Sequence, residues 1–296
     1  MPSAIRLTAL LVTLVLTGST ARAADEVVEK QKKTAAANMK LAEVVTWATV
    51  ETDDLIVCAT LPDEKAKTFA AQLQKTYLVA RKALQYEEKE QPWTGKLTVY
   101  FLTESRQFKM FMRAALGESP RDAEFHMVLK GDAPFLLDQA DLSNPAAEPE
   151  AFGEAASLVA VAVLTSKAGS GSMLPDWART GFGRAVSLRA EGPNAKRVMA
   201  YRTRAKAVVV GTSGRPGAKL SDVWDGGAKD GTVLATSLMD YLAFGPKAAD
   251  FPKVVNALKP GENGQPPALP MALETATGMK WMDLEAAWKK WVQARK

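Results

Sequence analysis

The patterning of this chain changes character once, and that change limits the folds open to it. Up to about residue 140, short apolar runs alternate with helically spaced segments; "LIVCATL", "KLTVYFL" and "EFHMVLKGDAPFLLD" read as strands, the last as one or two around Lys130-Gly131-Asp132. From the linker "QADLSNPAAEPEAF" to Lys296 every patterned stretch has helical spacing, broken by Gly/Pro loops such as "KAGSGSMLP" and "KPGENGQPPALP". Strands with helices first and helices alone afterwards predict an α+β fold, mostly α, with a small amino-terminal sheet. The expected division is a sheet-bearing lobe over 24–140 and an all-helical lobe over 141–296.

Within the first lobe, Phe69, Leu73, Tyr77, Ala80 and Leu84 recur on one helical face, and a shorter helix is expected from Ser105 to Leu116. The stretch "DEVVEKQKKTAAANMKLAEVVT" before the first strand has weak apolar periodicity and reads as a loosely docked polar helix. With Cys58 as the one cysteine, no disulfide forms within the chain, and the core must rest on packing. In "LIVCATL" that thiol reads as a small hydrophobe in a strand.

The first 23 residues, "MPSAIRLTALLVTLVLTGSTARA", have an early arginine, an apolar run from Leu7 to Leu16, and Ala21-Arg22-Ala23 before Ala24. This is the layout of a cleavable export signal, so residues 1–23 are expected to be removed near Ala23 and the protein to be periplasmic or extracellular. No later run is expected to cross a membrane. Losing Arg6 and Arg22 lowers the formal charge from +5 to +3, a mild excess that does not call for nucleic acid. Arg184, Arg189, Lys196, Arg197, Arg202, Arg204 and Lys206 gather between residues 184 and 206, a basic face suited to anionic surfaces.

The chemically informative stretch is Gly153-Glu154-Ala155-Ala156-Ser157, on a helix expected from about Ala147 to Ser166. Positions 153 and 157 share a helical face, the spacing at which H-E-x-x-H places two zinc-binding histidines beside a general-base glutamate. Gly153 carries a cost of about 1 kcal/mol against alanine inside a helix. The apolar residues that follow suggest that Glu154 is buried and needs a partner.

Downstream, "LPDWARTGFGRAVSLRA" resembles the P-x-W-x-x-E-G-x-A segment of the peptidase MA-like group of gluzincin metallopeptidases. Pro175, Trp177 and Gly181 match it, while Thr180 replaces the ligand glutamate and Gly183 the alanine. The carboxyl-terminal "ALETATGMKWMDLEAAWKKWV" resembles that group's closing helices, with an A-x-x-x-A-T-G-x-x-x-x-x-L-E-x-x-W ending. The resemblance implies a gluzincin-like fold over roughly Leu55 to Val292, a zinc site at positions 153, 157 and 180, and a general base at Glu154. Glycine has no side chain, and serine and threonine hydroxyls are poor zinc ligands. His126, the one histidine, reads as a structural strand residue.

No metal or cofactor is therefore expected, and no catalytic residue is assigned beyond the remnant position Glu154. Arg184, one turn after Thr180, is its expected charge partner, with Arg179 the alternative. The resulting expectation is a pseudo-metallopeptidase that binds a peptide or protein in the cleft between its lobes or has a structural role. The alternatives are a hydrolase with an unrecognised site and a basic surface-interaction protein.

Overall fold

The computed structural model describes residues 10–119, 125–169, 173–224, 230–261, 263–265 and 267–295, with side chains from residue 25 onward. Residues 1–9 of the expected signal segment lie outside the described residues. The fold is α+β, 60% helix and 11% strand. It divides into two units, Met1–Pro62 with Trp93–Gln139, and Asp63–Pro92 with Ala140–Lys296.

In the first unit, the unbroken apolar runs give strands β2 (Leu55–Ala59) and β3 (Leu97–Leu102), buried at every position. Runs without polar alternation suit strands covered on both faces, and these two pair in parallel with Val57 opposite Val99. The strand β5 (Phe135–Gln139) adds in parallel to the other side of β3. Antiparallel edges complete the order β1-β2-β3-β5-β4, with β1 at Ala48–Glu51 and β4 at Phe125–Val128. The β4–β5 connection passes through Gly131 at φ 88, a conformation that favours glycine, at the turn anticipated from Lys130-Gly131-Asp132. β1 was not anticipated, because "ATVE" has one buried position in four and is defined by its pairing with β2.

Helix α1 (Leu10–Leu41) is firmly rather than loosely docked, which corrects the sequence reading. Ala35, Met39 and Ala42 are buried in one cluster with Ile56, Cys58, Tyr100 and Leu137. Two of these three are alanines, so the apolar stripe is narrow and its periodicity faint. Gln31, 2% exposed, adds directional contacts: its amide donates to Thr94 O at 3.3 Å and Asp132 O at 3.0 Å and accepts from Lys96 N at 3.0 Å. The short helix α3 (Ser105–Met110) widens into a π turn over Phe111–Ala115, which brings Phe108, Phe111 and Met112 into the same cluster.

The second unit begins with α2 (Asp63–Ala83), which departs from the expected boundary by packing with the helical half. The cause is its aromatic face: Phe69 lies 4.7 Å, centroid to centroid, from Phe152 of α4 (Glu148–Ala168). The Tyr86 hydroxyl donates to Val163 O at 3.1 Å, and Lys167 pairs with Glu90 at 2.6 Å, holding the segment after α2 on α4. Pro145–Ala168, which includes α4, is long and apolar enough to cross a membrane by length and composition, contrary to the sequence reading, and 67% of its apolar window is buried inside the protein.

Helix α5 (Asp176–Glu191) lies between α4 and α7 (Gly231–Phe244), and its two inner glycines face opposite neighbours. A Cβ at Gly183 would come within 2.6 Å of Ser157 O, and one at Gly181 within 2.6 Å of Ala235 O. Close helix approach therefore explains both glycines of "TGFGRA" in packing terms.

Around this core lie α6 (Lys196–Val209), α8 (Phe251–Ala257), α9 (Leu269–Thr277) and α10 (Trp281–Ala294). The tail residues behind the family resemblance each have a packing role. Gly278 ends α9 at φ 65, Trp288 is buried with its indole donating to Ser237 Oγ at 3.0 Å, and Glu285 accepts from Leu220 N at 2.8 Å. The half expected to be purely helical also contains a two-stranded ribbon, β6 (Gly211–Thr212) with β7 (Arg215–Pro216). Its strands are two residues long, too short to leave an alternation.

Candidate functional site

Helices α4 and α5 run antiparallel with a register that three contacts define. Ser187 Oγ donates to Gly153 O at 3.0 Å, Arg184 pairs through Nη2 with Glu154 Oε1, and Gly183 abuts Ser157 O. Gly153, Glu154, Ser157 and Arg184 are thus brought together. Thr180 lies one turn before Arg184 and is exposed. Arg179 pairs with Asp176 of its own helix and not with Glu154, which removes the alternative partner. Ser157 is buried, and its hydroxyl donates back to Gly153 O at 2.8 Å.

The reason for a glycine at 153 comes from α6. An ideal Cβ on Gly153 would lie 2.2 Å from the guanidinium carbon of Arg197. The space that a side chain at 153 would enter is therefore occupied by a cation. Arg197 is held from several sides. Its Nε donates to Glu191 Oε1 at 2.8 Å, Nη2 donates to Ser187 Oγ at 2.9 Å, and Nη1 donates to Glu150 Oε2 at 3.1 Å. The sequence reading placed Arg197 only within a basic run. Glycine inside a helix was the one local trace of it.

Glu154 is only partly buried, which corrects another expectation: its side chain is 40% exposed and that of Arg184 36%. Glu150, Glu154 and Leu158 follow one another at four-residue spacing and form an unburied stripe of α4, whereas Ala155, Ala156 and Val159 are fully buried. The two carboxyl groups also interact one turn apart. Burial pushes the Glu154 carboxyl up, Arg184 opposes that, and a hydrogen bond and the charge of Glu150 push it further up. For Glu150 burial also acts upward, but the charge and hydrogen bond of Arg197 outweigh it and hold the carboxyl below its usual range. As pH falls, Glu154 is therefore the first of the two to take up a proton.

Beside this corner lies a groove of about 430 Å³, lined among others by Glu150, Arg184, Arg197, Arg204 and Asp230. The arginines of the basic run are largely spoken for within the protein. Arg204 pairs with Asp230 at 2.8 Å, Arg189 with Asp240 at 2.7 Å, and Arg184 and Arg197 as above. Lys196 and Lys206 remain exposed.

His126 belongs to the first unit, on β4 opposite Leu137, with Nε2 3.9 Å from Glu118 Oε1 and its ring 6.0 Å from that of Phe135. Cys58 is buried, and burial pushes its thiol up to about 11. Among the described residues no group of three or more His, Cys, Asp or Glu side chains could hold a metal ion. Positions 153, 157 and 180 do not fit zinc, since their donors are two hydroxyls and no side chain, and a guanidinium occupies the space in front of Gly153. What the corner can do is present fixed charges of both signs to whatever enters the groove. No protein-family model matches this sequence, and no curated protein matches it.

Proposed function

We propose that the chain is an exported, non-catalytic relative of the gluzincin metallopeptidases whose helical unit binds a peptide or protein segment. The observation that carries this reading is the seat of Arg197 over Gly153. A zinc site there needs a histidine at 153 and a cation in front of it. Here the side chain is gone and the cation is a guanidinium tied to Glu191, Ser187 and Glu150. Arg184 neutralises the glutamate that would otherwise act as general base. The adjoining groove is of a size used for ligand recognition, and its alternating signs suit an extended segment bearing both charges. Export rests on the amino-terminal signal layout.

The test rebuilds the site. Gly153→His, Ser157→His and Thr180→Glu are combined with Arg197→Ala and Arg184→Ala, because the two guanidiniums would clash with and repel the metal. The fivefold variant is expected to gain zinc affinity in the micromolar range or tighter, absent from the parent and from each single variant. A folded fivefold variant binding no better than the parent would overturn the relationship. Casein hydrolysis by the parent is expected to equal that of Glu154→Gln at background, and cleavage lost in that variant would overturn the non-catalytic reading.

A further inference from the structure

The connection between α8 and α9, "KPGENGQPPALP", contains the one asparagine of this chain that precedes a glycine. Asn263 and Gly264 are both exposed, and Gly264 sits at φ 72, in the left-handed region. The Asn263 side chain is turned back along its own backbone: Oδ1 accepts from Gln265 N at 3.1 Å, closing an Asx turn. That hydrogen-bonded ring passes through the peptide nitrogen of Gly264, so the turn folds the side-chain amide back over that nitrogen, and the donor at Gln265 polarises the amide carbon. Gly264 has no Cβ to crowd an approach, and among the described residues an ideal Cβ there would meet nothing within 4 Å. Gly264 N donates to Gly261 O at 2.9 Å, a bond that holds the nitrogen only while this exposed turn stays closed.

The remaining asparagines show what is particular here. Asn144 forms the same turn, with Oδ1 accepting from Ala146 N at 3.0 Å, but the next residue is Pro145, whose nitrogen has no proton to lose. Asn38 and Asn256 lie inside helices α1 and α8, where the backbone is fixed, and Asn38 also donates to Tyr100 Oη at 3.1 Å. Asn194 is exposed but precedes Ala195, whose Cβ crowds the peptide nitrogen.

We propose that Asn263 is a site of spontaneous modification, at which the nitrogen of Gly264 closes a succinimide ring on the side chain. Gly264 N gives its proton to hydroxide or a buffer base and forms a bond to Asn263 Cγ; the Cγ–Nδ2 bond breaks, and Nδ2 takes a proton from water and leaves as ammonia. Water then opens the ring. Opening at the side-chain carbonyl restores the chain and leaves a carboxylate at position 263, whereas opening at the main-chain carbonyl leaves the chain running through Cβ and Cγ, an isoaspartyl link one atom longer. The net change is the hydrolysis of one amide to one carboxylate, so each event adds one negative charge to a chain of formal charge +5. None of this involves the Glu154 corner or its groove.

The test uses the full chain, incubated in warm, mildly alkaline buffer and sampled over days. Peptide mapping by mass spectrometry is expected to show conversion at Asn263 before any other asparagine, at least about tenfold faster than at Asn194, a barrier difference of about 1.4 kcal/mol. Both aspartyl isomers should form, and the rate should rise with pH because the attacking nitrogen must lose its proton. Asn263→Ser, which keeps the turn through its hydroxyl, should abolish the charge change followed by cation-exchange chromatography. Asn144 should stay intact in the parent, and Pro145→Gly, which supplies the missing N–H, should make it convert. An Asn263 that survives as long as Asn194, a product with the normal aspartyl link alone, or an unchanged Asn144 in folded Pro145→Gly would each overturn the proposal.

Discussion

Around Gly153 two guanidiniums, Arg184 and Arg197, face three carboxylates, Glu150, Glu154 and Glu191, whereas at Asp240 one buried carboxylate pairs with both Arg189 and Arg295. Each cluster resolves its imbalance according to its exposure. The first opens onto a groove and leaves Glu154 half-exposed, with partial burial and then Glu150 raising its affinity for protons against the pull of Arg184. The second encloses its carboxylate, and burial lowers the pKa values of the two arginines that pair with it. The same two side-chain chemistries thus give a half-exposed corner in one place and an enclosed carboxylate shared by two arginines in another.

The sharpest way to break this contrast is to remove one acid from each cluster. Asp240→Asn takes from Arg189 and Arg295 the buried carboxylate that they share, and unpairing charges enclosed in this way costs about 3 to 5 kcal/mol. Glu154→Gln breaks a pair that is more than a third exposed on each side, so its expected cost is below about 1 kcal/mol. Urea unfolding of both variants, with the slope checked against the parent, measures the difference. Similar costs at the two positions would erase the distinction between an enclosed and an open cluster.

A smaller effect is expected from pH. The folded-state pKa of Glu154 is raised, so its contribution to stability is present in full below the unfolded carboxylate pKa and is lost as pH rises through the folded value. Glu150 is lowered and behaves oppositely, contributing above the unfolded value and losing that contribution as pH falls. Glu154→Gln removes the first trend. The stability of this variant relative to the parent is therefore expected to improve as pH rises from about 4 to 7. A flat difference across that window would mean that folding does not raise the pKa of Glu154.

The pattern of the chain made one cluster partly legible and left the other silent. Gly153 showed itself because a glycine inside a long apolar helix has a cost that demands an occupant for the space it frees. Glu154 and Arg184 followed from helical spacing. Arg197 did not, since it arrives from a helix beyond the Gly192-Pro193 break and its contact with Gly153 depends on how α5 and α6 fold back on α4. Asp240 in "TSLMDYLAF" is an acid among apolar residues and carried the same kind of signal as Glu154, but its partners Arg189 and Arg295 come from two distant places in the chain. In the first unit the buried strands β2 and β3 were plain from continuous apolar runs. The edge strand β1 and the alanine-based face of α1 were not, because small or exposed residues leave little periodicity.

The seat of Arg197 over Gly153 supports both the explanation of the glycine and the proposed loss of catalysis, and a double-mutant cycle tests it most directly. On helix propensity alone Gly153→Ala should stabilise the protein by up to about 1 kcal/mol. Here the new methyl group meets the Arg197 guanidinium and displaces it from Glu191, Ser187 and Glu150, charge-assisted bonds worth about 1.5 to 3 kcal/mol each when fully lost. Gly153→Ala is therefore expected to destabilise the parent by about 1 kcal/mol and to stabilise the Arg197→Ala background by up to the propensity gain, a change of sign between the two arms measured by denaturant unfolding. Stabilisation of equal size in both backgrounds would show that Arg197 does not occupy the space in front of Gly153 and would contradict the account.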